Sequence, residues 1–234
     1  MNVVITGGAR GIGAAAVRAF CARGDRVFFL YEKNHDSADA LARETGAVPL
    51  CADVASEQAV NAAFSRIPDV DVLINNAGIA HYGLISDIDP DVWDRLFAVN
   101  VKGIYHTVRA SLPYFLAKHD GVILNTSSMW GLVGASCETT YASTKGAVIA
   151  LTKSLAKELA PSGIRCNCIA PGVVRTQMLS PFSEEELAQL ADETPLGRLG
   201  TPEEIAQAMV YLASPEASFI TGNILSINGG FVIN

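Results

Sequence analysis

The chain has 234 residues, of which 50% are hydrophobic and 18% are charged, a composition that predicts a compact folded protein and excludes a disordered one. The formal net charge of -7 disfavours a nucleic-acid partner, because phosphate binding requires clustered lysine and arginine. No apolar run approaches the roughly 20 residues of a membrane-spanning helix, and no basic signal-peptide region opens the sequence. We therefore expect a cytoplasmic protein with neither a membrane nor a nucleic-acid partner.

Apolar runs of strand length alternate with helical patterns along the sequence. Helical spacing of apolar residues predicts helices over residues 11–23, 37–45, 56–66, 91–118 and 139–160. Strands are predicted in NVVIT, RVFFLY, AVPLC, DVLINNAG, GVILNTSS, IRCNCIAP and NILSINGG. Nearly continuous apolar strands that alternate with helices are typical of a parallel sheet covered on both faces. We expect an α/β fold with a Rossmann-type doubly wound parallel sheet of about seven strands, as one domain over residues 1–234.

One long connection interrupts this alternation, at about residues 172–200. A segment of this length inside a compact domain is usually a lid or a binding loop. A plain surface excursion is the alternative. We expect a substrate-binding loop.

The cysteines and histidines give no sign of a metal site. Five scattered cysteines do not form a disulfide framework. Cys166 and Cys168 stand at strand spacing, so we expect two packed free thiols on one face of a strand. The four histidines show no ligand spacing, which leaves the metalloenzyme and hydrolase interpretations without support.

Three glycines follow the first predicted strand and open the first helix. Gly7 allows a tight turn, Gly11 lets a pyrophosphate approach the backbone, and Gly13 allows close helix–sheet packing. The N–H groups and the dipole of a helix N-terminus favour phosphate. The spacing G-x-x-x-G-x-G departs from the usual G-x-G-x-x-G, and glycine-rich turns also serve packing. The position between a strand and a helix nevertheless predicts a dinucleotide site.

Tyr141 and Lys145 are four residues apart, so they share one face of the predicted helix. A phenol with a pKa of about 10 is a poor acid near neutrality, and a neighbouring ammonium lowers that pKa by stabilising the phenolate. Such a tyrosine can exchange a proton with a carbonyl oxygen. Ser128 lies at the C-terminal end of a predicted strand, where ligands bind in open α/β sheets, and its hydroxyl can hold the same carbonyl oxygen. The plain alternative is a solvated lysine beside serines that satisfy a strand end.

Several motifs in order resemble the short-chain dehydrogenase/reductase family, namely TGGARGIG, NNAG, the Ser…YxxxK arrangement, PG…T and PLGRLGTPEEIA. The resemblance runs the length of the chain and implies hydride transfer between a nicotinamide and a carbonyl or alcohol carbon. It implies four catalytic residues: Asn100, Ser128, Tyr141 and Lys145. In the family, the asparagine orders a water that links the lysine to solvent, and the lysine also binds the nicotinamide ribose.

The same resemblance implies a set of cofactor-binding residues along the chain. Besides Tyr141 and Lys145, they are Gly7, Arg10, Gly11, Ile12, Gly13, Tyr31, Lys33, Asp53, Val54, Asn76, Ala77, Gly78, Pro171, Gly172, Val174 and Thr176.

The choice between NAD and NADP depends on the end of the second predicted strand. An acidic residue about 20 positions beyond the glycines normally binds the ribose hydroxyls and selects NAD, and Glu32 is near that distance. By family alignment the usual acidic position is Tyr31, which can stack under the adenine. Arg10 and Lys33 can instead neutralise a 2′-phosphate. We favour NADP(H).

Two substrates are suggested by resemblance. Most motifs are similar to bacterial 3-oxoacyl-[acyl-carrier-protein] reductases, whose carrier-borne substrate would need basic residues at the entrance. The candidates are Lys102, Arg109, Arg175 and Arg198. The segment MWGLVGASCE is similar to bacterial reductases that act on the 5-aminopentanone modification of elongation factor P, and its Glu138 suits a cationic amine. The acyl reductase ranks narrowly first.

A function of a different class is a catalytically silent dinucleotide-binding sensor. Such a protein would keep the glycine loop and lose the tyrosine–lysine pair, so the presence of all four implied catalytic residues argues against it. The family commonly assembles as a homotetramer through its two long central helices, here about 91–118 and 139–160, and through its C-terminal segment. We therefore expect a homotetramer.

Overall fold

Seven parallel strands form one sheet in the computed structural model, which describes residues 1–233. They are β1 (Asn2–Thr6), β2 (Arg26–Tyr31), β3 (Val48–Cys51), β4 (Val72–Asn75), β5 (Gly121–Thr126), β6 (Ile164–Pro171) and β7 (Ile224–Ile227). Their order across the sheet is β3-β2-β1-β4-β5-β6-β7. The order reverses between β1 and β4, and ligands bind at such a point, beyond the carboxyl ends of the strands. The predicted doubly wound α/β fold is confirmed.

Helices cover both faces of this sheet. They are α1 (Gly11–Ala22), α2 (His35–Thr45), α3 (Glu57–Phe64), α4 (Pro90–Phe97), α5 (Gly103–Lys118), α6 (Trp130–Val133), α7 (Thr139–Leu159), α8 (Glu184–Glu193) and α9 (Pro202–Ala213). Helices α1, α2 and α9 pack on one face, and α3, α5 and α7 pack on the other. Successive side chains of a strand point to opposite faces of the sheet: Val3 and Ile5 pack on the side of α1, whereas Val4 packs on the side of α3. Both faces are buried, so the strands have no polar side.

The prediction of a single helix over residues 91–118 is wrong in one respect, because the structure divides this segment into two helices. Helix α4 begins at Pro90, where the Asp89 carboxylate accepts a hydrogen bond from the Asp91 N–H and caps the first turn. A π-helical turn over Ala98–Lys102 then separates α4 from α5. Such turns insert one residue and redirect a side chain, and they often occur at functional sites. Apolar periodicity alone does not detect the insertion.

The connection over residues 172–200 contains helix α8 and is closed at its base. Val174 and Gly200 form an isolated parallel bridge, with the Arg175 N–H donating to the Gly200 carbonyl at 2.9 Å. Helix α8 begins with a capping box in which Ser183 and Glu186 each accept from the other's backbone. Helix α9 begins with a second box, made by Thr201 and Glu204. The T-x-x-E pattern in the sequence is the signal that could have predicted α9.

The two expected thiols lie where strand spacing placed them. Cys166 and Cys168 are buried and free on the α7 side of β6. In residues 1–233 no group of three or more histidine, cysteine, aspartate or glutamate side chains could hold a metal ion. Within the same residues, no helix combines the length and the apolar character needed to cross a bilayer.

Candidate active site

The predicted catalytic lysine is buried at the carboxyl end of β5. Lys145 is only 4% exposed, and its Nζ donates a hydrogen bond to the Thr126 carbonyl oxygen at 2.9 Å. The Ser127 hydroxyl donates to the Lys145 carbonyl at 2.8 Å, so this second serine holds the backbone of α7 against β5. Burial lowers the pKa of Lys145 to about 8, and the nearby Cys168 opposes that shift. The lysine is therefore not a solvated surface group.

Tyr141 lies one helical turn before Lys145, with the Lys145 Nζ 5.5 Å from the centre of its ring. Burial raises the pKa of Tyr141 to about 12, the Glu138 carboxylate adds to this effect, and contact with the Ser128 hydroxyl opposes it. The lowered phenol pKa expected from sequence is thus wrong for the protein surroundings alone. The physical reason is that Lys145 is directed toward the Thr126 carbonyl, while desolvation acts on the phenolate directly.

Ser128 lies two residues beyond β5 and is mostly buried, at 8% exposure. Its Oγ accepts a hydrogen bond from the Trp130 N–H at 3.2 Å, which orients the hydroxyl where α6 begins. The same hydroxyl lowers the pKa of Tyr141, so the two oxygens are neighbours. Ser128 and Tyr141 can therefore contact one substrate oxygen between them.

Asn100 occupies the π-helical turn and joins three elements. Its Nδ2 donates to the Ile79 carbonyl at 2.9 Å and to the Thr144 hydroxyl at 3.0 Å, while its Oδ1 accepts from the Ile79 N–H at 2.9 Å. A Cβ added to Gly78 would lie 3.4 Å from both Asn100 Oδ1 and Lys145 Nζ. The structure thus brings the implied asparagine beside the lysine, and the asparagine also fixes the loop after β4 to α7.

The glycine loop fits the pyrophosphate of a dinucleotide. Gly7 and Gly11 adopt positive φ angles of 64° and 54°, conformations that favour glycine. A Cβ at Gly13 would collide with the Gly7 carbonyl and with the Asn76 side chain, so the helix packs closely on the residues that directly follow β1 and β4. Helix α1 begins at Gly11, whose added Cβ would lie 3.4 Å from Thr176 Cγ2. The helix N-terminus therefore faces the base of the long connection, and Ile12 lies half-buried in its first turn.

Residues after β4 support this loop from below. The N–H groups of Asn76 and Ala77 each donate to the Thr6 hydroxyl at 3.0 Å. The Asn76 side chain donates to the carbonyls of Thr6 and Gly7 at 3.1 and 3.3 Å. Asn76 therefore holds the glycine turn in place through hydrogen bonds to its backbone.

The predicted adenosine end contains an ionic cluster beyond β2 and β3. Asp53 Oδ2 lies 2.9 Å from Arg95 Nη1, and Glu32 Oε1 lies 3.4 Å from Arg95 Nη2. Lys33 Nζ is 3.3 Å from the same Glu32 oxygen. Burial acts to raise the pKa of Asp53, but the hydrogen bonds from Arg95 and from the Ala55 N–H, with the charges of Arg95 and Lys33, together outweigh it and hold that pKa below its usual range. Arg10 is exposed on the glycine loop. Sequence reasoning missed Arg95, because no local pattern connects α4 to a loop residue 42 positions earlier.

The remaining predicted cofactor residues frame the same crevice. The Tyr31 hydroxyl lies 3.1 Å from His35 Nδ1, and its ring meets the His35 ring edge-on. Val54 is buried under Gly103 of α5, so its side chain belongs to the core. Further along the crevice, the carbonyl of Pro171, which precedes Gly172, accepts from the Met129 N–H at 2.9 Å.

Aromatic and acidic residues lie near Tyr141, and we call the opening between Tyr82, Glu138 and Phe182 the mouth of the site. Tyr82 meets Phe182 of the long connection edge-on, with ring centres 6.1 Å apart. The pKa of Tyr82 is raised by contact with Cys137 first, and also by the carboxylates of Glu138 and Glu186. Glu138 itself is half-buried, and burial raises its pKa. Three segments thus meet at the mouth: the loop after β4, the stretch before α7, and the connection that carries α8.

The basic residues predicted at the entrance are largely engaged elsewhere. Arg198 forms a two-pronged pair with Glu204, at 2.6 and 3.0 Å. Arg109 pairs with Glu57 at 3.3 Å. Arg175 and Lys102 are exposed.

Known proteins share both the sequence and the fold of this chain. Residues 7–232 match the family model described as Enoyl-(Acyl carrier protein) reductase. The uncharacterized oxidoreductase YmfI of Bacillus subtilis is 40% identical over 98% of both chains. The 3-oxoacyl-[acyl-carrier-protein] reductase FabG of Thermotoga maritima is 36% identical, with 98% of this chain and 97% of that protein covered. The solved structure of 3-oxoacyl-[acyl-carrier protein] reductase from Brucella melitensis superposes with a TM-score of 0.94 at 37% identity, covering 99% of this chain and 91% of that one.

Proposed function

Because the chain belongs to the short-chain dehydrogenase/reductase family, a family of oxidoreductases, we propose that it reduces a carbonyl group to an alcohol with NADPH. One observation carries this proposal. Ser128, two residues beyond the Thr126 carbonyl that Lys145 contacts, and Tyr141, whose ring centre is 5.5 Å from the Lys145 Nζ, both lie beside this buried lysine, next to a glycine loop that fits a pyrophosphate. A catalytically silent sensor would have no need for a buried lysine at this position.

Each catalytic residue has a distinct task in the proposed reaction. When bound, the nicotinamide supplies a hydride to the carbonyl carbon. Tyr141 gives its proton to the carbonyl oxygen, which the Ser128 hydroxyl holds in place. The Lys145 ammonium, 5.5 Å from the centre of the Tyr141 ring, offsets part of the cost that burial places on the phenolate as it forms, and Asn100 keeps the loop after β4 in register with α7. The connection over residues 172–200 covers the substrate.

The first candidate substrate is a 3-oxoacyl group on acyl carrier protein. Support comes from the two relatives described by that activity, one at 36% identity over nearly the whole chain and one solved structure with a TM-score of 0.94. On this proposal the partner is a carrier protein, and exposed Arg175 and Lys102 are the cations left to receive it.

The second candidate is the 5-aminopentanone group on elongation factor P. It is favoured by the charge of the mouth, where Glu138 and Glu186 both lie near Tyr82 while Arg198 and Arg109 are paired with other carboxylates. A carboxylate beside Tyr141 stabilises a cationic amine and gives no such advantage to a neutral acyl chain. The charge of the mouth and the names of the relatives therefore point to different substrates.

A direct comparison of substrates separates the two candidates. Purified protein and NADPH are mixed with acetoacetyl-acyl carrier protein or with elongation factor P that bears 5-aminopentanone, and NADPH oxidation is followed. Glu138→Gln is the matched variant: we expect it to raise KM for the amine substrate and to leave KM for the acyl substrate unchanged. Tight NADPH binding without oxidation by either carbonyl would support the sensor and contradict the proposal.

Replacing Tyr141 by Phe tests the proton donor. We expect Tyr141→Phe to lower kcat by about 10²- to 10⁴-fold, the usual contribution of general acid catalysis, while the dissociation constant of NADPH stays unchanged. Tyr211→Phe, an exposed tyrosine on α9, is the control and should keep full activity. Fluorescence titration compares NADPH with NADH in the same samples. Substantial remaining turnover in Tyr141→Phe would refute the assignment.

A further inference from the structure

The ionic cluster at the adenosine end is built around one guanidinium. Arg95 reaches from α4 to two carboxylates on different loops, Asp53 at 2.9 Å and Glu32 at 3.4 Å. Lys33 also contacts Glu32, but its side chain is 79% exposed, against 39% for Arg95. Exposed ion pairs are weak and are screened by salt. Arg95 is the less exposed of the two cations on Glu32, and it is the one that connects Glu32 to Asp53.

The position of Glu32 makes this contact consequential for the cofactor. Glu32 directly follows β2, one residue after Tyr31, the usual position of the family's acidic residue, and a carboxylate this near the ribose position repels a 2′-phosphate. We propose that Arg95 is a specificity-determining residue for the cofactor: by holding Glu32 and Asp53 it allows the adenosine end to accept a 2′-phosphate. This inference rests on the proposed use of NADP(H).

Charge and geometry both support this role. With Arg95 present, the two carboxylates of the cluster face two cations, Arg95 and Lys33. Without Arg95, Lys33 alone is left beside the two carboxylates, and the cluster carries one net negative charge. The guanidinium uses separate nitrogens, Nη1 for Asp53 and Nη2 for Glu32, a fork that a lysine ammonium does not reproduce.

Binding of two adenosine probes tests the proposal without any catalytic step. The probes are 2′,5′-ADP, which carries the 2′-phosphate, and 5′-ADP, which lacks it, and isothermal titration calorimetry measures their dissociation constants. We expect Arg95→Gln to weaken 2′,5′-ADP by about tenfold and 5′-ADP by less than about twofold, the modest size reflecting partly exposed charges. Arg95→Lys should lie in between. Arg18→Gln is the control: it breaks an exposed ion pair between Arg18 of α1 and Glu44 of α2, and it should change neither dissociation constant.

The double variant Glu32→Gln/Arg95→Gln distinguishes specificity from simple support of α4. Recovery of 2′,5′-ADP binding in the double variant is expected, because the unpaired carboxylate is gone. Glu32→Gln alone should keep the fold and bind 2′,5′-ADP at least as tightly as the natural protein. Equal weakening of both probes by Arg95→Gln, or no recovery in the double variant, would overturn the proposal.

The proposed NADP(H) preference fails separately from the role of Arg95. Tighter binding of 5′-ADP than of 2′,5′-ADP by the natural protein would contradict the NADP(H) preference. The ratio of the two constants still reports on Arg95 in that case. A rise in the dissociation constant of 2′,5′-ADP relative to that of 5′-ADP in Arg95→Gln supports the role of Arg95, and an unchanged ratio of the two constants overturns it.

Discussion

Burial of the Lys145 ammonium, the group proposed to stabilise the Tyr141 phenolate, lowers the stability of the folded protein. Its pKa of about 8 in the folded protein lies below the 10.5 of an unburied lysine. Between these values the unfolded chain binds a proton that the folded protein does not, so stability rises with pH in that range. Below about pH 8 the folded protein bears the full cost, about 3 kcal/mol at 1.36 kcal/mol for each pKa unit.

Replacing Lys145 by Met is therefore expected to stabilise the fold while abolishing turnover. Loss of the hydrogen bond to the Thr126 carbonyl offsets about 1 kcal/mol, which leaves a gain of about 2 kcal/mol at pH 7. The gain should shrink above about pH 8 and become a small loss above about pH 10.5, since the unfolded lysine then loses its proton too while the lost hydrogen bond still counts against the variant.

Urea unfolding at several pH values, at one protein concentration, measures the effect. Lys153→Met on the exposed side of α7 is the control and should change stability little at any pH. Lower stability of Lys145→Met at pH 7 would contradict the predicted cost of the buried charge.

Between elements, α6 approaches α7 closely in the active site. A Cβ at Gly131 of α6 would lie 2.7 Å from both the Lys145 carbonyl carbon and Ser127 Oγ. The Ser127 hydroxyl in turn donates to the Lys145 carbonyl. The segment that precedes the mouth is thus packed directly on the backbone of the proposed catalytic lysine, and a shift of α6 moves Lys145.

Replacing Gly131 by Ala is expected to disturb both the fold and the reaction. The added methyl must displace backbone, which costs about 1–3 kcal/mol, and we expect a fall in kcat of at least about tenfold. Gly146→Ala on α7 is the matched control, because its Cβ would meet only the Gly131 carbonyl at 3.6 Å. That control should gain about 0.5–1 kcal/mol from helix propensity and keep its activity. Thermal unfolding and steady-state rates measure both effects, and equal behaviour of the two variants would contradict the close approach.

At the scale of the whole molecule, apolar side chains remain on the surface. Phe219, just before β7, is fully exposed, and Tyr105 of α5 is about half exposed. Apolar side chains that form a contiguous patch mark an interface, whereas singly exposed ones are ordinary, so their location decides the interpretation. They lie on a central helix and near the C-terminal segment, the regions through which the family resemblance implies tetramers, so we propose a homotetramer.

Light scattering of the purified protein is expected to give about 99 kDa, four times the 24.7 kDa of one chain. Phe219→Glu should shift the population toward smaller species, because burying that ring contributes about 2 kcal/mol and burying an unpaired carboxylate is unfavourable. Ala40→Glu places the same charge on the exposed face of α2 and should leave the mass unchanged. A monomer of the natural protein at micromolar concentration would contradict the proposal.

The sequence by itself determined the sheet, the glycine loop and the pairing of Tyr141 with Lys145. Each of these depends on local spacing: apolar runs for strands, glycines at a strand–helix junction, and one helical turn between two side chains. Spacing also placed Cys166 and Cys168 on one face of β6, as observed.

Only the tertiary structure decided the electrostatics of the site. Burial, which is contributed by several elements at once, raised the pKa of Tyr141 where the sequence predicted a lowered one. The packing of α4 beside the ends of β2 and β3 also brings Arg95 to Glu32 and Asp53, which are 63 and 42 residues away along the chain. No local sequence pattern contains this contact. The free energy of a charge depends on its solvent and its neighbours, and both are set by packing rather than by order along the chain.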